Sequence, residues 1–200
     1  MVFFMARERI NKQNYILYIM ETLFALMIAP DKKLSSEIRR LSKKISIKYG
    51  IAAAPKYGKL PPHISLFFKN GRMNDMKIAS EMGRLSKDFY AVMPFKVKID
   101  GFGYFKEAKG YVGSAVYLKV NRSSSLDRVY RIANPDAPEE GQKVMPHISI
   151  VKGIERGKFL RLRKDQRNYK FRRSFIAEGV LVGIQKNSGP WKFTILPFGK

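Results

Sequence analysis

A chain of 200 residues, 45% hydrophobic and 12% aromatic, can bury a sizeable core in one domain or in one domain of two similar lobes, which excludes a disordered tail. It has no cysteine, so disulfides, thiolate nucleophiles and sulfur-ligated metals are excluded. Lys and Arg number 39 against 16 Asp and Glu, and the formal net charge of +23 points to a polyanionic partner, or else to a generally basic surface suited to salt or heat.

The first apolar run, YILYIMETLFALMIA at 15–29, follows Arg7, Arg9 and Lys12 and superficially resembles a signal peptide. Glu21 interrupts it, and it is too short to span a bilayer, so LFALMIA is read as a buried strand and the protein as cytoplasmic, without a membrane partner. Residues 1–19 read as an extension, and 20–200 as a single domain. Leu34, Ile38, Leu41 and Ile45 then recur at helical spacing, with Asp31 or Ser35 to cap the helix and Gly50 to end it. A loop rich in Ala, Pro, Gly and Lys leads into a strand containing LPPHISLFF, and Asn70-Gly71 signals a turn. Ile78, Met82, Leu85 and Phe89 mark a second helix.

The period changes at FKVKIDGFGYF, which alternates as a half-buried strand does, and YVGSAVYLKV reads as its partner after a turn at Lys109-Gly110. Ser123–Ser125 can cap a third helix, SLDRVYRI, and a loop then leads to MPHISIVKG. Beyond it come a very basic stretch with room for a helix, a strand EGVLVGIQK, a turn at Asn187–Pro190 and a last strand WKFTILPF. Strands mixed with helices and hairpins argue for an α+β fold and against a doubly wound parallel sheet.

The two histidines of the chain, His63 and His147, both stand in the tetrapeptide PHIS. In a strand His63 and Ser65 share one face and Ile64 and Leu66 the other; His147 and Ser149 stand likewise against Ile148 and Ile150. Two such strands side by side present two imidazoles and two hydroxyls to one space. One neutral imidazole can take a proton from an attacking water, the other, protonated, can give one to a departing oxygen, and the hydroxyls can bind phosphate oxygens. A histidine in a strand is more often structural, but the repetition argues against that for the pair. A zinc site has only carboxylates to complete it and no HExxH spacing, and Ser-His nucleophilic catalysis needs an orienting acid and explains only one motif.

These paired HIS motifs resemble the signature of the two-histidine (2H) phosphoesterase superfamily, which includes the RNA 2′,3′-cyclic phosphodiesterases once called 2′-5′ RNA ligases. LFALMIAPDKKLSSEIRRL, PFKVKIDGFGYF and FIAEGVLVGIQKNSGPWKFTILPF resemble its opening strand and helix, its midchain strand and its closing hairpin. The resemblance implies two pseudo-symmetric lobes of antiparallel sheet with flanking helices around a central groove. It implies His63 and His147 as the acid–base pair, Ser65 and Ser149 as phosphate ligands, and no metal or other cofactor. Ser stands where many members have Thr. Lys152 stands where many have Arg, and would hold a phosphate as a point charge.

The expected activity is therefore hydrolysis of RNA 2′,3′-cyclic phosphate ends by a monomeric, metal-independent phosphodiesterase. Two alternatives are a phosphodiesterase of 2′-5′-linked or cyclic oligonucleotides and a non-catalytic basic RNA-binding protein. The ten Lys and Arg between Lys152 and Arg173 are candidates to grip an RNA backbone beside the groove or to form a solvated face. Tyr57, Tyr104, Phe105 and Trp191 can stack a base or fill the core.

Overall fold

A computed structural model describes residues 21–51, 60–105, 114–136, 145–165 and 169–199. The extension at 1–19, Tyr57 and the Lys109-Gly110 turn lie outside them. The first apolar run forms β1 (Glu21–Ile28), where Phe24 through Ile28 are all buried because both faces of the strand are covered. The chain continues through α1 (Lys32–Tyr49), β2 (Ile64–Arg72), α2 (Asp75–Tyr90), β3 (Phe95–Phe105) and β4 (Ser114–Val120). It then passes through α3 (Ser124–Ala133), β5 (His147–Ile154), α4 (Arg156–Asp165), β6 (Arg172–Ala177), β7 (Gly179–Lys186) and β8 (Lys192–Pro197).

Side-chain oxygens start three of the helices. Asp31 accepts from the Leu34 amide, Asn74 from Lys77 and Ser123 from Leu126, each satisfying a donor that the first turn leaves unpaired. The apolar positions read from helical spacing, Leu34, Ile38, Ile45, Ile78, Leu85 and Phe89, are buried in one core with Phe24, Ile64 and Ile148. All four helices bury side chains in that core, so they cover one face of the sheet.

The eight strands form one antiparallel sheet in the order β6-β3-β4-β5-β2-β1-β7-β8. This order is symmetric about the β5–β2 junction. The run β1-α1-β2-α2 in one half corresponds to β4-α3-β5-α4 in the other, with β7-β8 and β3-β6 flanking. The halves exchange support, since α1 packs against β5 and α3 against β2. The α+β fold of two pseudo-symmetric lobes is thus observed.

Two local expectations are corrected. Asn70-Gly71 does not turn; both residues pair within β2, opposite Leu23 and Thr22, because the long partner β1 carries the strand through. The strand β6 emerges from the basic stretch, where no local pattern marks it. Its residues are mostly exposed, so its sequence lacks an apolar stripe, and pairing with β3 creates the strand. Among the described residues no helix is long and apolar enough to cross a membrane.

Candidate active site

The strands β2 and β5 meet through a single registered pair, Ile64 opposite Ile148, both buried on the helix side. Their neighbours in sequence therefore project from the other face. Extending that antiparallel register sets His63 across from Ser149 and Ser65 across from His147. The two motifs thus come together as a quartet on the face of the sheet away from the four described helices. Ser65 is exposed and Ser149 partly so, and neither hydroxyl has a hydrogen-bond partner among the described residues.

Each imidazole is oriented in the same way. His63 Nδ1 lies 2.7 Å from the carbonyl of Pro61, and His147 Nδ1 lies 2.9 Å from that of Met145. A carbonyl only accepts, so Nδ1 carries the hydrogen and Nε2 is left as the acceptor of the neutral ring. The accepting residue precedes a proline in both motifs. Pro62 and Pro146 restrict that residue to extended backbone, which fixes the chain that carries the carbonyl. The proline of PHIS therefore serves the histidine.

Beyond the histidines both strands bulge at the same place. Leu26 pairs with Phe67 and Met27 with Ser65, so Leu66 is the extra residue on β2; Val116 pairs with Val151 and Tyr117 with Ser149, so Ile150 is the extra residue on β5. Each is the third residue after its histidine. A bulged residue loses its ladder partners, and here its carbonyl finds one from the opposite lobe. Ser42 Oγ of α1 donates to Ile150 O at 2.7 Å, and Asn134 Nδ2 after α3 donates to Leu66 O at 3.0 Å.

The bulge also decides where Lys152 points. Simple alternation from His147 would send it into the core. The extra residue instead buries Ile150 and Val151 together and returns Lys152 to the histidine face. The pseudo-equivalent position on β2 is Phe68, 47% exposed, so one lobe offers a cation where the other offers an aromatic ring.

Electrostatics favour neutral imidazoles in the unliganded site. The value of His63 is lowered chiefly by burial, then by the charges of Lys152 and His147, with the Pro61 carbonyl opposing. His147 is lowered by burial and by Lys152, against the Met145 carbonyl. Burial also lowers Lys152. Lys152 thus acts on both histidines, and has no ion-pair partner among the described residues.

The sequence reading missed Tyr117, which forms a wall beside His147. Its ring lies 5.2 Å from the imidazole, and Phe105 approaches edge-on at 5.0 Å. The Tyr117 hydroxyl donates to Met145 Sδ at 3.1 Å. Opposite on β3, a Cβ at Gly103 would lie 2.3 Å from the Tyr117 ring, so only glycine lets the ring lie there. The available signal was the Gly-Tyr-Phe run of β3, whose first residue must leave room for a neighbour. Around β1 and β7 the arrangement is similar: a Cβ at Gly183 would come within 3.1 Å of both Trp191 and Met27, and Trp191 stacks on Phe193.

Other expectations separate from the site. Tyr104 packs against Phe159 on the helix side, with Arg163 over its ring. Among the described residues of the basic stretch only Lys152 reaches the quartet; five others lie on α4, and Arg172 and Arg173 on β6 pair with Asp100 and Glu37. No group of three or more His, Cys, Asp or Glu that could hold a metal occurs among the described residues.

Known proteins share this architecture. Apo LigT of E. coli superposes with a TM-score of 0.59 at 14% identity, covering 90% of this chain and 99% of its own. LigT complexed with NADP+ gives 0.56 at 14% identity over 88% and 95%. TT0787 of Thermus thermophilus gives 0.52 at 15% identity over 88% and 95%. At these identities the likeness establishes the fold. Comparison with curated protein sequences gives no match. A family model for the 2′-5′ RNA ligase superfamily matches residues 30–187, a span that includes both PHIS motifs and all four helices, and the chain belongs to that superfamily of two-histidine phosphoesterases.

Proposed function

We propose that this chain hydrolyses the 2′,3′-cyclic phosphate at RNA ends, without a metal, by acid–base catalysis between His63 and His147. The observation that carries the reading is the matched pair of imidazoles on adjacent strands, each with Nδ1–H held by a backbone carbonyl, which leaves Nε2 as the acceptor of the neutral ring. A neutral imidazole removes a proton from water through Nε2 as the water oxygen bonds to phosphorus. The ribose oxygen–phosphorus bond breaks, and the other histidine, as imidazolium, gives its Nε2 proton to the departing oxygen. The sum is one water consumed and a phosphomonoester formed.

The reaction needs one imidazole charged, whereas both are biased towards neutral in the free site. The phosphate itself supplies the correction. Its negative charge offsets Lys152 and favours an imidazolium beside it, so a proton enters with the substrate. Ser65, Ser149 and Lys152 then face the non-bridging oxygens, whose charge grows in the transition state. The motifs are equivalent under the pseudo-two-fold, so the direction in which the ribose binds decides which histidine starts as base.

The test is hydrolysis of a short RNA bearing a 2′,3′-cyclic phosphate, in EDTA, by the wild type and by His147→Ala. Turnover should survive chelation and fall by about 10²–10⁴-fold in the variant, the usual contribution of a general acid or base. An intact RNA end after incubation with wild type, or turnover unchanged in His147→Ala, overturns the reading. A 2′-5′-linked oligonucleotide run in parallel distinguishes the substrate.

A further inference from the structure

The positive charge of this chain is not spread evenly over its helices. α1 and α4 carry seven and five Lys or Arg against one carboxylate each, a net charge of +10 in 28 residues. α2 and α3, the other contacting pair, together carry +1. A surface made basic for salt or heat would show no such division.

The two basic helices are tied into one surface. Asp165 of α4 accepts from Tyr49 and Lys48 of α1 at 2.7 and 3.0 Å, and Lys158 donates to the Gly50 carbonyl that follows α1 at 2.8 Å. The few carboxylates are already engaged, Asp165 by Lys48 and Glu37 by Arg173. Arg40, Lys43, Lys44, Arg161 and Lys164 are exposed and have no ion-pair partner among the described residues. Arg161 lies one turn after Lys158 and one turn before Asp165, on the flank of α4 that meets α1. These cations lie on the face of the sheet opposite the histidines.

We propose that the joined outer faces of α1 and α4 bind the phosphate backbone of RNA at a second site, remote from the catalytic groove. The proposal rests on the reading of RNA as substrate and adds that the enzyme holds a long RNA at two places. Unpaired, regularly spaced cations suit a polyphosphate chain and carry no base preference. An anionic membrane fits less well, because a docking helix needs an apolar face to insert. Ile47 on α1 and Leu160 on α4 are the exposed large apolar residues of these two helices.

The test is the full chain with Arg40, Lys43, Lys44, Arg161 and Lys164 all changed to Gln, checked for an unchanged unfolding midpoint. Three measurements are made: affinity for a 30-nucleotide single-stranded RNA across a salt series, binding to phosphatidylserine vesicles, and hydrolysis of a dinucleotide ending in a cyclic phosphate. The expected result is at least tenfold weaker binding of the long RNA and a salt slope shallower by about 3.5 (roughly 0.7 for each of five lost phosphate contacts), with dinucleotide hydrolysis unchanged. Retained RNA affinity and slope overturn the proposal, as does a loss confined to vesicle binding. If RNA affinity falls but wild type hydrolyses no RNA end, the surface stands and the proposed reaction fails.

Discussion

Lys152 shows how one side chain can set the chemistry of two others. It lowers both imidazoles, and nothing in the described structure neutralises it. Replacing it by Gln removes that repulsion, so both values rise and protonation begins at higher pH. The acid limb of the kcat/KM profile should therefore move to higher pH, and KM should rise through loss of a phosphate contact. A pH–rate series on Lys152→Gln checks this; an unmoved acid limb would show that the lysine does not reach the imidazoles in solution. That Lys152 faces the site was expected from resemblance alone. Simple alternation along β5 argued against it, because no local pattern marks the bulge at Ile150.

At the scale of elements, each motif strand is pinned by a helix of the other lobe. The two bulges leave the carbonyls of Leu66 and Ile150 outside the ladder, and Asn134 and Ser42 restore their hydrogen bonds. Ser42→Ala should cost about 1–3 kcal/mol by leaving a part-buried carbonyl unpaired, measured by denaturant unfolding. Turnover should fall and KM should rise, because β5 carries His147 together with the proposed phosphate contacts Ser149 and Lys152. A variant with wild-type stability and turnover would remove Ser42 from the positioning role. This pairing is invisible in the sequence: Ser42 lies 108 residues from its acceptor, on a helix whose period announces only its apolar face.

Over the whole molecule, the histidines tie stability to pH. Both have folded values below the ordinary imidazole value of about 6.5, so between the two the unfolded chain binds more protons. Their contribution to stability rises with pH through that window and levels off above about 6.5. Removing both in His63→Ala/His147→Ala should flatten the rise below about pH 6.5, measured by urea unfolding at a series of pH values; an unchanged slope would assign it to other groups.

What the sequence determined by itself follows from local patterns. Helical spacing, with capping residues at α1 and α3, set α1, α2 and α3 to within a residue or two, and the repetition of PHIS singled out the histidines and serines, because strand alternation is a property of neighbours. The tertiary structure alone decided the rest. It drew β6 out of a charged stretch by pairing it with β3, placed Tyr117 beside His147 over Gly103, and divided the basic residues between one lysine at the site and a helix surface behind it. Each of these depends on which segments meet across the sheet, and strand pairing joins residues whose separation no local period records.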